Sequence, residues 1–383
     1  MALHFSPAEY ERRKTALLAA MHRARLDGLL LFQQESMYWL TGYDTFGFCF
    51  FQCLVVTADG RMALLTRSAD LRQARHTSDI GDIRIWKDAA DANPALDLKA
   101  LAAEMGLSGK RLGVEFDSYG LVASNGRKLE AAFDGFATLA DNSHLVTRLR
   151  AVKSEEEIVY VRRAAALANE ADAAALAHIG AGADEGDILA AQHAAMFRGG
   201  GDYPGNEFII GSGADALLCR YKSGRRTLDT RDQITLEFAG VYRHYHAAIM
   251  RTVVIGEPKP THLAHHRAAR EALIACEAEL RAGRTAGDVY AAHARVLDAH
   301  GLSQHRLNAC GYSLGAKFTP SWMDWPMFYE ANPWPIEPGM VFFAHMILMD
   351  SQTGTAMTLG RTYLVRDDGP EALTLPDLDL AIR

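Results

Sequence analysis

Cysteine is scarce in this 383-residue sequence. The five present, Cys49, Cys53, Cys219, Cys276 and Cys310, are odd in number and scattered. That excludes a disulfide framework and points to reduced thiols in a cytoplasmic protein. Cys49 and Cys53 have no second Cys or His pair beside them, which argues against a zinc site. No apolar run approaches the length of a membrane span, so no membrane association is expected. The opening MALHFSPAEYERRKTALL lacks the apolar stretch and cleavage site of a secretory signal. Positive charge does not dominate either. The formal net charge is -7 and there is no basic stripe or tail, which excludes nucleic acid as an expected partner. What the chain has is apolar mass: 49% hydrophobic residues, ample for a large core divided between two domains.

Helix and strand alternate through the first part. Pro7 to Arg25 has helical periodicity, and Leu29–Phe32 is a short apolar strand. Cys49–Thr57 and Met62–Leu65 flank the turn Ala58-Asp59-Gly60 as a hairpin. Ile83–Trp86 and Leu112–Val114 are further strands, with a helix near Leu96–Met105. Ser154, followed by Glu155–Glu157, is a strong helix start. A domain boundary is expected just before it, giving domains 1–147 and 148–383. Beyond it, helices are expected near 155–179, 184–198, 261–282 and 286–300. Strands are expected near 207–211, 233–239, 241–255, 306–314, 340–349 and 356–366. The class is α+β: an α/β domain followed by a curved antiparallel sheet with helices covering one face.

Five stretches, in order along the chain, resemble the pita-bread superfamily of creatinase, aminopeptidase P and prolidase. They are YWLTGY (Tyr38–Tyr43), RLRAVKSEEEI (Arg148–Ile158), IGSGADALLCRY (Ile210–Tyr221), Gln233–Val254 ending its motif in Arg251-Thr252, and Pro338–Phe342. The resemblance implies a creatinase-type N-terminal domain followed by a pita-bread catalytic domain. Metal-binding members use two Asp, one His and two Glu. Those five places hold Glu237, Ala248, Tyr312, His345 and Gly360 here. Ala248 and Gly360 offer no side-chain donor, Tyr312 is a poor ligand at neutral pH, and two remaining ligands do not make a site. No metal and no cofactor are therefore expected. Arg220 stands where metallopeptidase members keep a His near the glycine-rich strand end. Creatinase and ectoine hydrolase are metal-free relatives that cleave C–N bonds of small guanidinium or cyclic amidine compounds. The resemblance implies a hydrolase of a small molecule of that kind.

Glu237 lies between Leu236 and Phe238, where a lone carboxylate is costly to bury and its pKa should rise. It reads as nucleophile or general base, or else as a structural carboxylate paired to an arginine such as Arg251. His345, at a ligand place, reads as a proton shuttle. His244 and His246, two apart on one expected strand, face one side. They stand evenly between site residues, His246 catalytic and His244 substrate-binding, and satisfied core histidines. Arg220 is assigned to grip a substrate carboxylate, while Lys222, Arg225 and Arg226 read as solvated charges. The segment Lys317–Trp334 is a loop crowded with Trp322, Trp325, Phe328, Tyr329 and Trp334. It serves either as a pocket wall or as a dimer contact. Tyr312, Trp322, Trp325 and Asp324 are taken as substrate-binding, with Glu330 able to read a cation. Asp44, Phe46 and Phe48 follow YWLTGY. In creatinase-type dimers this loop reaches the neighbouring subunit's pocket, so the resemblance implies a homodimer with Phe46 near the partner's site. Two other functions stay open: a metal-dependent Xaa-Pro dipeptidase or aminopeptidase, and a non-catalytic peptide-binding module.

Overall fold

The computed structural model describes residues 3–220 and 225–383. The chain divides into two compact units, Met1–Arg150 and Ala151–Arg383, and the two-domain α+β expectation holds.

In the first unit, helix α1 (Pro7–Arg23) starts on Ser6, whose hydroxyl accepts from the Glu9 N–H, with Pro7 at its first position. Six strands follow: β1 (Gly28–Leu31), β2 (Cys53–Thr57), β3 (Met62–Arg67), β4 (Asp82–Trp86), β5 (Arg111–Val114) and β6 (Thr138–Asp141). They form one mixed sheet in the order β4-β3-β2-β1-β5-β6. Strand alternation divides its apolar residues between two cores. Leu29 and Leu31 pack with Met21 and Trp39 on one side, and Leu30 and Phe32 with Leu98 and Phe133 on the other. Burial of both faces explains the unbroken run LLLF. The motif YWLTGY is largely a buried helix, α2 (Gln34–Thr41), closed by Gly42 at φ 83°. Its first turn rests on the buried Glu115 carboxylate, which accepts from Phe32 N (2.9 Å), Gln33 N (2.8 Å) and Ser36 Oγ (2.6 Å). Helices α3 (Leu71–Thr77), α4 (Pro94–Glu104), α5 (Ala123–Phe133) and α6 (Leu145–Ala151) complete it. The motif Arg148–Ile158 thus begins inside a short helix.

The second unit opens with α7 (Glu155–His178), started by a reciprocal capping box between Ser154 and Glu157. Next come α8 (Glu185–Arg198), β7 (Ile209–Ser212), β8 (Asp232–Tyr242), β9 (Tyr245–Ile255), α9 (Pro260–Glu279) and α10 (Ala286–Ala299). After them come β10 (Ala309–Ser313), β11 (Asp324–Tyr329), β12 (Val341–Asp350), β13 (Thr355–Arg366), β14 (Gly369–Ala372) and β15 (Ala381–Ile382). Among the described residues the main sheet runs β11-β10-β12-β13-β9-β8-β7, antiparallel along that path, with β14 antiparallel beside β13 and β15 parallel beside β9. Residues of one face meet the helices. Arg251 of β9 reaches Asp172 of α7 at 2.8 Å, and Tyr363 of β13 donates to Glu277 of α9 at 3.0 Å. Gly240 belongs to that face and lets α7 approach closely, since a Cβ there would lie 2.1 Å from the Ala164 carbonyl oxygen.

Two expectations need correction. The break placed at Gly240 is not a break: β8 continues to Tyr242, and the turn is Arg243-His244, both left-handed at φ 51° and 65°. The aromatic segment read as a loop contains strand β11, which extends the sheet beside β10.

Candidate active site

The register of the sheet assembles the site. Glu237 on β8 stands opposite Met250 on β9, Met250 opposite Gly360 on β13, and Gly360 opposite His345 on β12. Directly opposed residues share a face, so these four form one row across four strands. It lies on the face turned away from α7 and α9, because Arg251 and Leu236, each one position along, face the helices. Period 2 adds Ala248 next to Met250 and Phe343 next to His345. Tyr312 on β10 stands opposite Phe343 and joins the same face. Residues distant in sequence thus converge because antiparallel register places them in line.

Glu237 is 8% exposed. Burial pushes its carboxyl up to about 7, against the Tyr312 hydrogen bond and the positive charge of Arg220, which both lower it. The phenol of Tyr312 donates to Glu237 Oε1 at 3.1 Å, and the indole N–H of Trp322 donates to the same phenol oxygen at 2.9 Å. Arg251 is not the partner of Glu237: it lies on the opposite face, ion-paired with Asp172. Of the possible arginine partners of Glu237, Arg251 is therefore excluded. His345 is buried, and that burial drives its basicity down to about 3, with His293 and Arg220 adding in the same direction. It is a neutral imidazole at physiological pH, its Nδ1 without a hydrogen-bond partner. Its ring lies 5.6 Å from that of Tyr312 and 5.4 Å from that of Phe343. Arg220 is exposed, and its charge acts on Glu237, Tyr312 and His345 together.

The other expected site residues are placed differently. His246 is buried, with both ring nitrogens turned to backbone. The Gly205 N–H donates to Nε2 at 2.9 Å, and Nδ1 faces the Gly315 carbonyl oxygen at 3.4 Å. Burial holds it neutral, down to about 3. Its geometry is that of a satisfied core histidine. His244 does not share a strand with it: it sits in the turn and stacks on Phe318 at 4.2 Å. Asp324 is placed beside Gly315 and the buried Lys153. A methyl carbon on Gly315 would lie 3.8 Å from its Oδ2 and 3.6 Å from Lys153 Nζ. Trp325 is half-buried on β11. Phe46 belongs to the first unit and is 75% exposed. Arg226 is no free surface charge: it binds Ser212 at 2.9 Å and also Asp229 and Asp232. Lys222 lies outside the described residues. Sequence reasoning missed Phe343 and Met250. The signal existed, since Phe343 is two residues from His345 on one strand and so shares its face.

The residues present do not fit a two-cation centre. Only Glu237 and His345 could donate at the five family places. The space beside Gly360 is filled: a Cβ there would lie 2.6 Å from Phe343 Cζ. Backbone groups of Ala248 are taken by Thr362, whose hydroxyl lies 2.9 Å from the N–H and 2.8 Å from the carbonyl oxygen. Among the described residues no group of three or more His, Cys, Asp or Glu side chains could hold a metal ion. Among them, too, no helix is long and apolar enough to cross a membrane.

The fold and this row of positions define a pita-bread hydrolase. Residues 159–367 match the model of metallopeptidase family M24, and residues 13–152 that of the creatinase/prolidase N-terminal domain. The chain belongs to metallopeptidase family M24. It is 28% identical to the hydrolase/peptidase y4tM of Sinorhizobium fredii, over 100% of this chain and 99% of that protein. It is 26% identical to the ectoine hydrolase of Halomonas elongata, over 97% of each. The prolidase from Thermococcus sibiricus shares its fold, with a TM-score of 0.87 at 19% identity, covering 98% of this chain and 99% of that one.

Proposed function

We propose that this chain is a metal-independent hydrolase that cleaves a C–N bond in a small nitrogen-rich compound, of guanidino, amidine or cyclic imino acid type. The observation that carries this reading is Glu237. A buried carboxyl balanced near pH 7 stands where metal-binding relatives hold a cation, and a carboxyl so tuned both takes and returns a proton near neutrality. The likeness to an ectoine hydrolase along the whole chain supports the substrate class.

In this mechanism Arg220 pairs with an acidic group of the substrate. Glu237 takes a proton from water as the water oxygen bonds to the amidine-like carbon. It then gives that proton to the departing nitrogen as the C–N bond breaks. We assign both transfers to Glu237, because His345 is too weakly basic in its buried setting to hold the proton in between. His345 serves as a neutral hydrogen-bonding group beside the reacting centre. A cytoplasmic homodimer accompanies the proposal, with sedimentation as the check on assembly.

The test starts from a thermal-shift screen of small guanidino, amidine and cyclic imino acids, since a ligand of the folded state raises Tm. Turnover of the hits is then measured in chelator-treated protein. Full activity without metal is expected. The Glu237→Gln variant should bind but lose turnover by about 1000-fold or more. Stoichiometric manganese, cobalt or zinc with chelator-sensitive activity would establish the dipeptidase alternative instead.

A further inference from the structure

Trp322 and Tyr312 are both buried, at 1% and 3% exposure, and both are tied to Glu237, Tyr312 directly and Trp322 through the phenol. An indole N–H can only donate. Trp322 Nε1 therefore occupies the Tyr312 oxygen as an acceptor, and the phenol hydrogen points to Glu237 Oε1. A proton placed on Oε1 would leave that buried phenol hydrogen facing a hydroxyl oxygen, a much poorer acceptor than a carboxylate oxygen, which is costly. Trp322 is itself clamped. Its backbone N–H donates to Asn206 Oδ1 at 3.2 Å, and a Cβ on neighbouring Gly205 would lie 2.8 Å from that same nitrogen. Gly205 is in turn tied to His246 Nε2.

We propose that Trp322 is a positioning residue acting on Glu237 through Tyr312. It keeps Oε1 a fixed acceptor and makes Oε2 the oxygen that takes up and returns the proton of the reaction. This rests on the hydrolase reading of the same site. It gives the aromatic segment a task in that site other than contact with substrate, and gives His246 one at second remove, as anchor of the loop that holds Trp322.

The test is a double-mutant cycle with two readouts. Tyr312→Phe should lower kcat about thirtyfold and Trp322→Phe about fivefold, with KM little changed. The double variant should be no slower than Tyr312→Phe alone, because Trp322 acts only through the phenol. Multiplying losses overturn the proposal. The second readout needs no substrate: the carboxyl carbon-13 resonance of Glu237 in the resting protein. Trp322→Phe should move it in the wild-type background and leave it in place in the Tyr312→Phe background. Movement in both backgrounds, or in neither, also overturns the proposal. If no compound is turned over but the resonance behaves as expected, the hydrolase reading and the role of Oε2 fail while the hydrogen-bond relay from Trp322 to Oε1 stands. Should the Trp322 variant not fold, Tyr312→Phe alone decides the relay, because it must displace the Trp322 indole N–H resonance.

Discussion

At the scale of single residues, the site turns on how little room Gly360 leaves. With Phe343 Cζ 2.6 Å from any added Cβ, Gly360→Ala should cost about 1–3 kcal/mol by overpacking. Phe343→Leu in the same chain should recover most of that loss, as urea denaturation would measure. Glu237 gives a second expectation. Its pKa in the folded chain, about 7, lies above the ordinary 4.5. Folding is therefore favoured with the carboxyl protonated, and that contribution is fully present below pH 4.5 and lost as pH rises through 7. Glu237→Gln should accordingly gain stability over the parent from pH 5 to 8, on the order of 2–3 kcal/mol. A flat difference across that range would contradict it. Much at this scale was legible in the sequence. A carboxylate between Leu236 and Phe238 announces its own desolvation, and the five family places could be counted along the chain. Two things were hidden. The partner of Arg251 depends on which face it occupies, and the seat of Phe343 over Gly360 depends on a strand pair that no local pattern specifies.

At the scale of elements, the hairpin of β8 and β9 shows why a turn can escape notice. Two-residue hairpin turns favour Asn-Gly because both central residues need positive φ. Here Arg243 and His244 take those angles, so nothing in their chemistry marks the turn, while the glycine at 240, between the two expected strands, answers to the close approach of α7. Arg243 is exposed. Arg243→Asn should therefore stabilise the unit by about 0.5–1 kcal/mol, read as a higher urea midpoint with unchanged slope. The misplaced turn moved His244 onto the strand and made two neighbouring histidines look like a pair. The aromatic segment failed differently. It contains Pro326 within β11, but β11 lies at the edge of the sheet, where a missing N–H is tolerated.

At the scale of the whole molecule, the two units should respond oppositely to acid. His246, His262, His293 and His345 all belong to the second unit. Burial lowers their basicity to about 3, 4, 4 and 3. A depressed folded pKa gives stability that is present above the ordinary 6.5 and lost as pH falls below it. Glu237 and Asp172, shifted upward, oppose this, but four imidazoles outweigh two carboxyls. In the first unit Glu115 is pushed up to about 7 by burial, so that unit gains as pH falls from 7 towards 4.5. Hydrogen exchange between pH 7 and 5 should show Ala151–Arg383 losing protection first. Simultaneous loss in both units would count against it. The two-domain plan was readable in advance because five motifs in order constrain a fold more than any one of them does.

The ring of Phe343 over Gly360 also bears on history. A side chain able to hold a metal at position 360 would meet that ring at its first carbon, so a single change there carries the overpacking cost unless the ring gives way. Shrinking Phe343 beforehand removes that cost but leaves a hole in the sheet with no compensating gain. The packing thus works as a ratchet against any side-chain ligand at this position.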